Sequence, residues 1–204
     1  MQRSSGVGCM PSTPTRINTK GRTTVTKILA AAACSALFLA VSAGAQQPAA
    51  NAAPAANPLD VVPDKMPFDV PYGAPIALER ATAAINAAVV EAKKHEWKLN
   101  VAVVDYGGNL VAFQRMDGAQ LASIQISEHK ARAAVTFRRE TKAWENAIQT
   151  NGAHYVTTLD GVIGSRGGIP LVENGRIVGA IGCSGGTGSQ DEVACKAGVA
   201  ALQK

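Results

Sequence analysis

The densest run of chemistry-bearing side chains is SIQISEHKARAAVTF, residues 123–137. At helical spacing Ile124, Glu128, Ala131 and Val135 share a side. His129 and Arg132 are i,i+3 neighbours, Glu128 and Arg132 are i,i+4 neighbours, and Lys130 falls opposite part of this set. A helix edge of this kind can line a pocket, with His129 as ligand or general acid/base and Lys130 or Arg132 holding an anion. The same run also fits a solvated charged face. Glu128 and His129 are the metal-ligand candidates, but the H-E-x-x-H spacing is absent and no second His lies close. The sequence holds three His residues, His95, His129 and His154, and no pair has metal-ligand spacing. His95, in the polar run Lys93-Lys94-His95-Glu96, is expected to be exposed. Haem needs only one His, Tyr or Met on its iron and basic side chains for its propionates, so it stays open as a cofactor.

Two glycine loops add backbone donors. Gly185-Gly186-Thr187-Gly188-Ser189 leads into the last helix, where free N–H groups can hold an anion. No Lys follows as a phosphate loop requires, and the G-x-G-x-x-G spacing is missing, so a tight turn or a pocket rim fits better. The loop from Gly164 to Pro170 carries one guanidinium, Arg166, beside Gly168. It reads either as a clamp for a carboxylate or as a surface turn. Gly164-Ser165 does not form a G-x-S-x-G elbow, which argues against a serine hydrolase.

The elements that must position these residues follow from hydrophobic period. Ile76, Ala77, Ala81, Ala84, Ile85, Ala88, Val89 and Ala92 form an apolar stripe at helical spacing, with Pro75 suited to a first turn and Lys93-Lys94 to a last one. The Val-rich run 99–105 reads as a buried strand, Asp105–Asn109 as a turn, and 110–116 as the returning strand. Helices are expected over about 121–137 and 139–148, then an irregular glycine-rich stretch over 155–170. Residues 171–173, the turn Asn174-Gly175 and residues 176–185 read as a hairpin with a type I′ turn. A last helix is expected over about 189–202, with Ser189 and Glu192 as its capping box. Two hairpins flanked by helices give an α+β layout, an antiparallel sheet with helices packed on it. The strand–helix alternation of a doubly wound nucleotide fold is absent.

Of the 204 residues, 20 are Lys or Arg and 15 are Asp or Glu. Residues 1–45 contain five basic residues and no acid, which leaves the rest of the chain neutral. That distribution excludes a broad nucleic-acid footprint. Lys27, the apolar run Ile28–Val41 and the small residues Ala43 and Ala45 read as a secretory signal peptide cleaved after Ala45. A periplasmic or secreted location is therefore expected, with no membrane insertion after cleavage. Residues 46–71, rich in Ala, Pro and Asn, read as an extended linker, and residues 72–204 as the folded domain. Cys183 and Cys195 remain after cleavage. They permit one disulfide, but two separate buried thiols are the favoured expectation.

Three blocks, VAVVDYGGNLVAFQRMDGA, SxxxSxxKA and GGIPLVENGRIVGAIGCSGG, resemble the GlcG/HbpS family of haem-binding and haem-degrading-type proteins, in family order over about residues 76–202. The resemblance implies a profilin-like α+β fold with a five-stranded antiparallel sheet, homo-oligomers, and haem, with iron handling, as the chemistry. Lys130, Arg132, Arg115, Asp117, Gly168 and Pro170 occupy matching block positions, whereas His129 stands where many members carry another residue. The set expected around haem or a small anionic ligand is His129, Lys130, Arg132, Arg115, Arg166 and Gly168. Three functions compete: an exported haem-binding protein for sensing, storage or degradation, an enzyme acting on a small carboxylate or aromatic acid, and a non-catalytic oligomeric subunit.

Overall fold

Val101, Ala102, Val103 and Val104 are all completely buried in the strand β1 (Asn100–Asp105). A computed structural model describes residues 60–203. The expected signal peptide, and the expected linker before residue 60, lie outside the described residues. After β1 come β2 (Leu110–Arg115), α2 (Ala122–Thr136), α3 (Lys142–Gln149), a short 3₁₀ turn (His154–Thr158), β3 (Gly168–Glu173), β4 (Arg176–Ser184) and α4 (Gly188–Ala201). The helix α1 (Leu78–Lys94) precedes them. The sheet is antiparallel in the order β2-β1-β4-β3, so the two most apolar strands are central. That placement follows from burial on both faces, which favours continuous Val, Ile and Ala runs over alternation.

Helices cover both faces. The core around Val101, Val103, Ile181 and Cys183 packs against α1 and α4. The opposite face, with Val104, Ile177 and Ala180, packs against Ala131, Ala134 and Val135 of α2. A bulge in β4 opposite Leu171 and Val172 resets its alternation, so Ile177 and Ala180 point to one side and Val178 and Ile181 to the other. The helix α2 lies unusually close to the sheet because Gly182 has no side chain. A Cβ there would meet the Ser127 carbonyl and the Ala131 amide. Asn174 and Gly175 both have positive φ, +50° and +73°, as a type I′ turn demands.

Three expectations change. Among the described residues the sheet has four strands rather than five. Where β1 ends, the segment before α1 takes the free edge of β4, but only Tyr72 bridges to Ile177, in parallel. Gly73 donates to the Ile177 carbonyl and Ile177 donates to the Pro71 carbonyl, too short a pairing to make a strand. Pro75 lies before the helix, whose N-cap is Ala77. The capping box of α4 is made by Thr187 and Gln190, not Ser189 and Glu192. Thr187 N donates to Gln190 Oε1 at 2.8 Å, and Gln190 N donates to Thr187 Oγ1 at 3.4 Å. The helix begins at Gly188, and neighbouring cations draw Glu192 away from the backbone.

The cysteine expectation is overturned as well. Cys183 and Cys195 form a disulfide with their Cα atoms 5.8 Å apart, joining β4 to α4. Both residues are fully buried, and the helix start brings them face to face within bonding geometry. Sequence spacing alone does not contain that approach.

Candidate functional site

One turn of α2 sends consecutive side chains to opposite environments. Lys130 points into the sheet and is 1% exposed. Its Nζ donates to Asp191 Oδ2 at 2.7 Å and to the Cys183 carbonyl at 3.2 Å. Asp191, in the first turn of α4, is 2% exposed and accepts from the Gly186 amide at 3.1 Å. Burial pushes the Asp191 carboxyl above its ordinary value, and the Lys130 ammonium and the Gly185 and Gly186 amides only partly offset this. Gly167 passes over the pair so closely that a Cβ would stand 3.3 Å from Lys130 Nζ. Gly168 N donates to Thr141 Oγ1 at 3.0 Å, and Thr141 N donates back to the Gly168 carbonyl at 3.0 Å.

Arg166 stands beside this buried pair. Its Nε donates to Glu145 Oε1 at 2.7 Å, its backbone amide donates to Glu145 Oε2 at 2.8 Å, and its Nη1 donates to Glu192 at 3.4 Å. The carboxylates that this guanidinium grips belong to the chain itself. Glu192 also accepts from Lys142 at 3.0 Å and from Lys196 at 2.5 Å. Burial would raise Glu145 and Glu192, but Arg166 on the first and Lys196 and Lys142 on the second outweigh it and hold both carboxyls below their usual range. The network ties the Arg166 loop to α3 and α4.

The outward face of α2 carries the other candidates. Arg132 Nη2 donates to Glu128 at 3.0 Å, and its Nε donates to the Gly108 carbonyl at 3.3 Å. His129 is half-buried, with its Nε2 3.2 Å from the Gly161 carbonyl. A carbonyl only accepts, so a hydrogen bond here requires the proton on Nε2, and in a neutral ring that leaves the lone pair on Nδ1. His129 and Arg132 are the residues on this face that could hold a haem, an imidazole for the iron and a guanidinium for a propionate. Among the described residues no group of three or more His, Cys, Asp or Glu is placed to hold a bare metal ion. Glu128 is engaged by Arg132.

The six expected ligand-binding residues therefore do not converge. Lys130, Arg166 and Gly168 lie near one another but bond separate partners, Asp191, Glu145 with Glu192, and Thr141, and His129 and Arg132 share the opposite face of α2. Arg115 lies at the other end of β2 from the Gly108 turn, in a groove of about 330 Å³ with Lys93, Met116 and Asp117. Sequence reasoning missed Asp191, Glu145, Glu192 and Thr141. Asp191 and Glu192 had a visible signal, two acids in the first turn of a predicted helix, but their partners are far away in sequence. His95 is exposed as expected, stacking on Trp97 and contacting Glu91.

The family model described as haem degrading protein HbpS-like matches residues 76–200. Protein GlcG of Escherichia coli is 41% identical over 109 residues, which is 53% of this chain and 81% of that protein. The crystal structure of HbpS is 33% identical with a TM-score of 0.60, covering 66% of this chain and 94% of the other. A structure of a PduOC–haem complex is 25% identical with a TM-score of 0.57, covering 62% of this chain and 94% of the other.

Proposed function

This chain belongs to the HbpS-like family of haem-degrading proteins, and from that membership we propose that it is an exported haem-binding protein with His129 as its iron ligand. The observation that carries the reading is the placement of His129 on the outward face of α2 beside Arg132, with its Nε2 3.2 Å from the Gly161 carbonyl; a neutral ring that donates there keeps Nδ1 for a metal. The haem held by the PduOC neighbour supports the ligand class. Arg132, steadied by Glu128, supplies the cation for a propionate. Lys130, Arg166 and Gly168 act from behind, holding α2, α4 and the 164–168 loop in register. Bound at this position, haem supplies the redox and ligand-binding chemistry of an iron porphyrin.

Export is part of the proposal. The disulfide Cys183–Cys195 persists in an oxidising compartment and is rarely kept in a reducing one. Among the described residues no helix is long and apolar enough to cross a membrane. Sequencing the N-terminus of the protein recovered from its native compartment tests export, with Gln46 as the expected first residue. Homo-oligomerisation completes the proposal, supported by the edge of β2, which no strand covers among the described residues, and by the exposure of Leu110 and Tyr106. Light scattering after size exclusion checks it, and a monomer at all concentrations overturns it.

The deciding experiment is a haem titration of the purified protein followed by visible absorbance and repeated with His129→Ala. Saturable one-site binding that is lost in the variant is the expected result. Saturable binding kept in the variant moves the ligand away from His129. A linear, non-saturating response overturns haem binding itself.

A further inference from the structure

At the free edge of β3, away from His129, lies a groove of about 320 Å³. It is lined by Ile169, Pro170 and Val172 of β3, by Val199 of α4 and by the consecutive arginines Arg138 and Arg139. Neither arginine pairs with a carboxylate among the described residues. Arg138 has a single long hydrogen bond, Nη1 to the Val70 carbonyl at 3.5 Å, and lies over the ring of Tyr72. Its φ of +54° is a left-handed conformation that a non-glycine residue adopts at a cost. Arg139 spends only its Nε, on the Phe137 carbonyl at 3.2 Å, and is held between the rings of Phe68 and Trp144. Among the described residues the other four of its five N–H donors find no protein acceptor.

Burial and the adjacent Arg138 cation together push the Arg139 guanidinium below its ordinary value. Two consecutive cationic residues therefore line a trough whose other walls are mostly apolar. Glu140 is the one acidic side chain lining the groove, and it leaves the groove with excess positive charge. Apolar walls with a few convergent donors are the usual make-up of a small-molecule site. Rigid guanidinium planes are suited to planar oxyanions.

We propose that the groove between β3, α4 and the Arg138-Arg139 corner binds a small amphipathic organic monoanion, a carboxylate or sulfonate with a short apolar body. The anion lies against the two guanidiniums and the apolar body lies along Ile169, Val172 and Val199. This site is separate from the haem reading and stands whether or not His129 binds iron.

The test uses the purified protein with anilinonaphthalene sulfonate as a fluorescent probe, and octanoate and octanol as competitors. Probe fluorescence is expected to rise saturably, with octanoate displacing the probe and octanol, which lacks the charge, displacing it far less. Arg138→Gln is expected to weaken octanoate about ten-fold, the scale of one lost charged hydrogen bond, and Val172→Asp to abolish binding. Arg138 is outside the core, so this variant reads binding even if Arg139→Gln disturbs the Trp144 stack. Equal displacement by octanol, wild-type octanoate affinity in both arginine variants, or a probe signal that never saturates overturns the proposal.

Discussion

The Nζ of Lys130 and the Oδ2 of Asp191 lie 2.7 Å apart in the interior, with 1% and 3% of their side chains exposed. The pair joins α2 to α4 through the sheet, over the carbonyl of the disulfide-bonded Cys183. Removing one partner leaves the other charge buried and unpaired. Lys130→Met and Asp191→Leu are each expected to cost about 3–5 kcal/mol in chemical denaturation. The double variant Lys130→Met/Asp191→Leu is expected to cost much less than the sum. Additive losses would show that the two side chains do not act as a pair.

The disulfide has its own signature. Non-reducing digestion and mass spectrometry should give a single peptide pair joined through Cys183 and Cys195. Replacing both with Ala is expected to lower stability by about 3 kcal/mol, the entropy of closing a loop of roughly this length. An unchanged melting temperature in that variant would mean that the bond contributes nothing to the native state.

Two hydroxyls compete for the start of α4, and the structure chooses Thr187. Thr187→Ala should cost about 1 kcal/mol, the ordinary value of a lost N-cap. Ser189→Ala, within the first turn, should change stability by under about 0.5 kcal/mol. A larger effect at Ser189 than at Thr187 would restore the alternative cap.

Acid should unfold the protein through Glu145 and Glu192. Their folded values are depressed below the ordinary 4.5, so their stabilisation is present above that pH and is lost as pH falls through the folded values. Asp191 works in the opposite sense. Its folded value is raised above 3.8, so its contribution is greatest below that pH and declines as pH rises through the folded value. Glu145→Gln and Glu192→Gln should each flatten the fall of melting temperature below about pH 4.5. A slope identical to wild type in both would remove these carboxylates from the acid transition.

Local pattern carried most of the secondary structure. The Val run of β1, the Asn174-Gly175 turn and the Ala stripe of α1 each have a period or a backbone requirement that neighbouring residues settle alone. The α+β layout followed from the order of those elements. The fifth strand implied by the family resemblance is absent among the described residues, where the segment before α1 makes only the single bridge from Tyr72 to Ile177. The cap of α4 failed because two adjacent hydroxyls satisfy the same motif, and Glu192 is claimed by Lys142, Arg166 and Lys196 from other elements.

The run Ser123–Phe137 shows the same division within one helix. Its sequence determined that Glu128, His129, Lys130 and Arg132 lie within one turn of each other, and therefore which residue types are available. It did not determine which of them faces water. Ala131, Ala134, Val135 and Lys130 all lie against the sheet, and a lysine sits on that buried face because Asp191, 61 residues further on, meets it there. The Cys183–Cys195 bond, the Glu145–Arg166–Glu192 network and the Arg138-Arg139 corner likewise arise between segments brought together only when the helices pack on the sheet. Periodicity is a property of neighbours in the chain, and charge pairing in the interior is a property of neighbours in space.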